Sequence, residues 1–199
     1  MINNILLYNS GGGLGDAIQL FPLILSLKNH FKQSKFFYLG AHDNHYENKL
    51  KDYSILIKTL NLDIKYFGFR WWHLLKVKKQ FLRHNIDKFD LIVDLQTKLR
   101  NTLILKKIPT KNFYSATYKF SFCTIKDSYT TKKNICEMTL ANLEKFLNTK
   151  INRINYNITS ISDEFFKEAK RLLPNNNYIG FSITQGNEYR KKSWPLKNF

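Results

Sequence analysis

Asn4-Ile5-Leu6-Leu7-Tyr8-Asn9-Ser10-Gly11-Gly12-Gly13-Leu14-Gly15-Asp16 is the stretch on which the fold turns. Its apolar run from Asn4 to Tyr8 stops at a glycine-rich segment, which reads as a buried strand feeding a turn. From Asp16 to about Phe31 apolar residues recur at Ile18, Phe21 and Leu25, and on a neighbouring stripe at Leu20, Leu23 and Leu27. That is helical spacing. Pro22 removes one backbone donor and crowds the carbonyl of Ile18, so a bend is expected early in this helix. Lys35 to Leu39 reads as a second strand, closed by Gly40. Strand, glycine turn, helix and strand together make the βαβ unit of a parallel sheet.

The alternation continues outward from this unit. Tyr53–Leu60 and Ile64–Phe67 suggest a further strand, or a short helix and a strand. Trp72 to His84 reads as a basic amphipathic helix. Phe89-Asp90-Leu91-Ile92-Val93-Asp94-Leu95 is a dense apolar run ending in Gln96-Thr97, as a central parallel strand would. Lys98–Lys107 and Ile135–Leu147 follow as helices, the second with Leu140, Leu143, Phe146 and Leu147 on one face. Phe165–Leu173 is a helix capped by Ser162, with Asp163 and Glu164 in its first turn. Pro174-Asn175-Asn176-Asn177 is the clearest breaker. Beyond it come a strand over Tyr178–Ile183 and a helix start at Ser193-Trp194-Pro195. A lone strand and a helix stub cannot bury their own apolar faces. The expected division is therefore one domain over 1–174 and the opening of a second over 175–199.

Composition narrows the class. Hydrophobic residues make up 43% of the 199 residues, too many for a disordered basic tail. The most apolar stretch, Leu20–Leu27, is far too short for a bilayer. No basic n-region precedes a long apolar segment at the N-terminus, so no secretory signal is expected. Cys123 and Cys136 form no CxxC pair, which points to a reducing, cytoplasmic setting. The net charge of +17 tempts one toward nucleic acid or an anionic membrane. The lysines are scattered along the chain, however, and Asn, Ile, Phe and Tyr are abundant, as AT-rich codons favour. Charge by itself names no partner.

The glycine loop can bring backbone N–H groups close to an anion or a polar ligand. As a dinucleotide fingerprint it is poor, because Asp16 replaces the last glycine and the second strand ends in Gly40-Ala41 rather than an acid. No Gly-Lys-Ser/Thr follows, so it is not a phosphate-binding Walker loop. Asp16 has two readings: a favourable charge at a helix N-terminus, or a catalytic carboxylate. Gln96 either faces a cleft at the strand ends or caps its own loop. Arg70, Lys98 and Arg100 read as solvated cations. His42-Asp43-Asn44-His45 lacks neighbouring ligands, so no metal is expected there.

Three separated segments carry a resemblance. Gly13-Leu14-Gly15-Asp16-Ala17-Ile18-Gln19-Leu20-Phe21-Pro22 resembles the Gly-Asp…Pro signature of glycosyltransferase family 9, the bacterial heptosyltransferases. Phe89–Gln96 is similar to that family's strand ending in Asp-x-Gln, and Lys192-Ser193-Trp194-Pro195-Leu196-Lys197-Asn198-Phe199 to its Lys-x-Trp-Pro…F element. The resemblance implies a Rossmann-like parallel sheet with helices on both faces, as the N-terminal half of a two-domain GT-B architecture. It implies an inverting transfer of a sugar from a nucleotide-sugar, typically ADP-heptose, to a lipopolysaccharide inner-core acceptor. On this basis Asp16 would be the catalytic base, held rigidly by the glycine turn, and Gly13 and Gly15 would be substrate-binding. Lys192 and Thr184 would bind the departing diphosphate, and Gln96 and Arg70 would face the acceptor side. No cofactor beyond the donor substrate is implied, no nucleic acid is expected as partner, and peripheral contact with the anionic inner face of the membrane is. No Asp-x-Asp occurs, which counts against a metal-dependent GT-A transferase.

Two other classes stay open: a nucleotide-binding Rossmann oxidoreductase, and a basic module that binds RNA or anionic lipid without catalysis. If the resemblance holds, most of the donor pocket lies beyond residue 199, and the chain by itself is expected to be inactive.

Overall fold

β1 (Asn4–Asn9) lies at the centre of a five-stranded sheet, paired in parallel with β2 (Lys35–Gly40) on one side and β4 (Phe89–Asp94) on the other. Tyr8 stands opposite Leu39 in one neighbour and Asp94 in the other. β3 (Lys58–Thr59) extends the sheet beyond β2, and β5 (Thr110–Ser115) beyond β4. The order is β3-β2-β1-β4-β5, and every pairing is parallel. This computed structural model describes residues 2–51, 55–84, 86–156, 162–175 and 177–178. They fall into two units, 1–156 and 157–199.

Both faces of the sheet are covered, because successive side chains of a strand point to opposite sides. Ile5 and Leu7 pack with α1 (Leu14–Gln19), α2 (Phe21–His30) and α6 (Ile135–Leu147), through Ala17, Leu23, Leu27, Leu140 and Leu143. Leu6 and Tyr8 pack the other way, against α3 (His73–Phe81) and α4 (Leu99–Leu105), through Val77, Phe81, Ile104 and Leu105. The architecture is the Rossmann-like α/β layer that the opening unit implies.

Four details differ from the sequence reading. The helix expected over 16–31 is two helices, broken at Leu20, with Pro22 in the first turn of α2, where a missing N–H costs nothing. With the break, Ile18 turns outward and is half exposed, while Ala17 and Leu20 are buried. Where a strand is expected over 64–67 the chain makes a turn at 65–68, with Tyr66 in the left-handed region at φ 52°. β5 was not anticipated at all: Thr110-Lys111-Asn112 breaks the apolar run that marks an interior strand, as an edge position tolerates.

After β5 the chain makes one tight turn, α5 (Thr117–Phe120), in which Tyr118, Lys119 and Phe120 all have φ between 50° and 64°. Three consecutive side-chain-bearing residues in the left-handed region carry a steric cost. Burial of Phe120 beside Tyr114 holds the turn in place. α6 starts at Asn134, whose side chain accepts from the N–H groups of Cys136 and Glu137, and ends at Asn148 with φ 48°. In the second unit α7 (Asp163–Leu172) is capped by Ser162, whose hydroxyl accepts from the Glu164 N–H. Among the described residues no helix is long and apolar enough to cross a membrane.

Candidate active site

The strand order reverses direction between β1 and β4, and in an open α/β sheet a crevice forms beyond the carboxyl ends of the strands at such a point. Asn9 ends β1 there and is almost fully buried. Its side-chain oxygen accepts from the Gly11 N–H at 3.0 Å and from the Gln96 amide at 2.6 Å, so one residue ties the glycine loop to the end of β4. A cleft of about 290 Å³ opens at this junction, lined by Asn9, Gly11, Asp16, Gln96 and neighbouring residues of α1 and α6.

Asp16 is exposed to this cleft. Its carboxylate accepts from the Gly13 N–H at 3.3 Å, closing the first turn of α1 on itself. The bare loop leaves this carboxylate room: a Cβ at Gly11 or Gly13 would sit 3.2 Å from the same oxygen and would shift it by a few tenths of an ångström. α1 is clamped from outside. The Tyr46 hydroxyl donates to the Ala17 carbonyl at 2.9 Å and the Cys136 thiol to the Gln19 carbonyl at 3.1 Å. The Tyr38 hydroxyl donates to the Asn9 carbonyl at 3.1 Å. Burial, then the nearby charge of Asp16, pushes the Tyr38 phenol up to about 12, so it stays a donor at any working pH.

Gln96 is placed by Asp94, two residues earlier and buried. The Asp94 carboxylate accepts from the Gln96 N–H at 3.0 Å, the Thr102 hydroxyl at 2.6 Å and the Ser115 hydroxyl at 2.8 Å. The hydroxyls of Thr102 and Thr117 lie 2.7 Å apart, so α4, β5 and the left-handed turn share one network. Burial pushes the Asp94 carboxyl up to about 6, the three hydrogen bonds opposing it in part.

A second cavity, of about 500 Å³, lies on the other flank of the loop, lined by Gly12, Ala41, His42, Asp43, His45, Lys65 and Tyr66. His45 is 3.1 Å from the Gly12 carbonyl, and His42 packs edge-on against Tyr66 and Phe69. Both histidines of the His42–His45 segment thus have partners in the loop and the aromatic wall.

Of the residues singled out in the sequence, Asp16 and Gln96 line the cleft, Gly13 is bonded to Asp16, and Gly15 has open space around it. Arg70 is exposed ahead of α3 and does not line the cleft. Arg100 is not a free cation. Its Nε–H donates to the Gly68 carbonyl at 2.8 Å, and its guanidinium lies 6.0 Å from the centre of the Phe69 ring. Thr184, Lys192 and the Lys192–Phe199 element lie outside the described residues. Sequence reasoning passed over Asn9, Thr102, Ser115 and Thr117. Asn9 had one readable signal: it is the first polar residue after a buried strand, directly before glycines.

A parallel α/β layer with helices on both faces and a polar cleft at its strand-order reversal defines a Rossmann-like protein with a ligand-facing edge. Solved structures share this fold. A family 9 glycosyl transferase from Veillonella parvula is similar over 98% of this chain, with a TM-score of 0.59 and 19% sequence identity. The E. coli heptosyltransferase WaaC, solved with ADP, is similar over 82%, with a TM-score of 0.54 and 13% identity. The chain spans only 57% and 53% of those two proteins. No family model and no curated protein matches the sequence.

Proposed function

We propose that the chain is the acceptor-side part of an inverting family 9 glycosyltransferase. The observation that carries the reading is Asp16: an exposed carboxylate held on a bare glycine turn, in a cleft at the strand-order reversal. Support comes from the three sequence motifs and from the fold shared with two glycosyltransferase structures.

In the proposed reaction the acceptor hydroxyl loses its proton to Asp16 as its oxygen attacks the anomeric carbon of the donor sugar. The bond from that carbon to the diphosphate oxygen breaks on the opposite face, and the electron pair leaves with the nucleoside diphosphate. The anomeric configuration inverts. Lys192 and Thr184 are the candidates for receiving the diphosphate charge. Gln96, fixed by Asn9 and Asp94, would orient the acceptor beside Asp16. ADP-heptose is the proposed donor, with an inner-core glycolipid on the cytoplasmic side of the membrane as acceptor and no metal required. The donor pocket would be completed by a C-terminal domain.

The test is Asp16→Ala in the full-length protein, assayed with ADP-heptose and a heptose-deficient glycolipid. Transfer should fall by about 10²–10⁴-fold, with donor affinity within about twofold of the parent. Parental transfer by the variant, or loss of donor binding in step with transfer, would overturn Asp16 as the base.

A further inference from the structure

The sequence from Ile64 to Ile86 holds six cations, Lys65, Arg70, Lys76, Lys78, Lys79 and Arg83, and no Asp or Glu. α3 lies inside this stretch and has two different apolar faces. One is spent on the core: His73, Val77 and Phe81 are buried against the sheet. The other points out. Trp72, Leu75, Lys79 and Leu82 follow one another at three- and four-residue steps, which puts them on one stripe. Leu75 is 84% exposed, Leu82 69%, Trp71 54% and Trp72 49%. A helix that already buries one face has no fold-level reason to present two leucines and a tryptophan on the opposite one, with a second exposed tryptophan, Trp71, just ahead of it. Lys76 stands 4.7 Å from the centre of the Trp72 ring, so charge and aromatic surface are interleaved.

From this juxtaposition we infer that the outer face of α3, with Trp71 and Trp72 at its start, docks on an anionic phospholipid surface. Tryptophan sits at the headgroup level, where its ring is half apolar and its N–H stays wet. The leucines reach the acyl boundary, and lysines and arginines on the same side meet lipid phosphates. An acid-free run matches that partner in sign along its whole length. The inference deepens the proposed function only in naming the surface that would bring a membrane-borne acceptor within reach, and adsorption can be measured with neither donor nor acceptor present. The two readings therefore fail separately.

The 199-residue chain is mixed with vesicles of phosphatidylcholine alone, or of phosphatidylcholine and phosphatidylglycerol in equal parts, and read by co-sedimentation and tryptophan emission. Binding and a blue shift are expected only with the anionic vesicles. The double variant Leu75→Glu, Leu82→Glu touches exposed positions only, and should retain the parental far-ultraviolet spectrum while losing at least about tenfold in bound fraction. Lys76→Gln with Lys79→Gln should weaken binding to a similar degree and make it less sensitive to salt. Trp71→Phe with Trp72→Phe should remove the blue shift. Parental binding by the leucine variant, or equal binding to neutral vesicles, would overturn the inference. So would an RNA homopolymer that competes for the chain and loses affinity in the same leucine variant.

Discussion

Asp94→Asn isolates a conflict built into the sheet. The Asp94 carboxyl is 1% exposed, and among the described residues no cation bonds to it; hydroxyls of Thr102 and Ser115 and the Gln96 N–H are its partners. Burial outweighs those bonds and raises its folded-state value to about 6, above that of an unfolded aspartate. Between the two values the folded state binds more protons than the unfolded one, so stability falls as pH rises. The contribution is fully present below about pH 4 and lost as pH passes through 6, and the gap corresponds to about 3 kcal/mol. An asparagine can keep the same partners, turning its oxygen to the Gln96 N–H and its amide hydrogens to the two hydroxyls, yet it never ionises. Urea unfolding of parent and variant at pH 4, 5, 6 and 7.5 checks this. The variant's stability relative to the parent should climb by about 2.4 kcal/mol across the series, the rest of the gap lying below pH 4, whatever the other groups do. A difference that stays flat within about 0.5 kcal/mol, or that climbs toward acid, would refute the account of Asp94 as a charge held against its desolvation.

Gly15→Ala should stabilise the fold by about 0.5–1 kcal/mol, since a Cβ there meets nothing within 4 Å and the residue is helical; a Tm that falls instead would mean the loop is tighter than described. If transfer by the intact enzyme drops in that stabilised variant, substrate needs the bare backbone. Lys119→Gly should raise stability by about 1 kcal/mol, because it relieves one left-handed residue whose side chain is solvated; a thermal melt decides. Cys123 and Cys136 are buried and their thiols are pushed up by that burial, so Ellman's reagent should leave both unmodified in the native chain and modify both in denaturant.

The sheet was legible where strands are interior. Ile5–Tyr8 and Leu91–Val93 carry uninterrupted apolar runs because both their faces are buried, and the glycine loop announced where the first strand ends. β5 lacked that signal because an edge strand half covered by neighbours tolerates Lys111 and Asn112. Ile64–Phe67 misled for the opposite reason: Phe67 is buried from a turn rather than from a strand, with its ring edge-on to Tyr8. In the candidate site, Asp16 and Gln96 stood next to local punctuation and were found. The Asp94 partners Thr102 and Ser115, and Thr117 bonded to Thr102, come from three separate elements, and only the folded register brings them together.

The place of β1 in the sheet also governs how the chain must be assembled. Among the described strands the first in chain order, β1, is also the central one. Its β2 partner follows promptly and α3 and α4, which cover Leu6 and Tyr8, begin about 64 and 90 residues after Asn9, but β4 begins only about 80 residues after it. At about 5–20 residues per second, that interval lasts some 4–16 s. For that time a nascent βαβ hairpin carries one open edge and one bare apolar face. Such a strand is a template for wrong pairing. The stretch between Gly40 and Phe89, with its cationic helix α3, is then the waiting segment that must stay soluble until the sheet can close around its first strand.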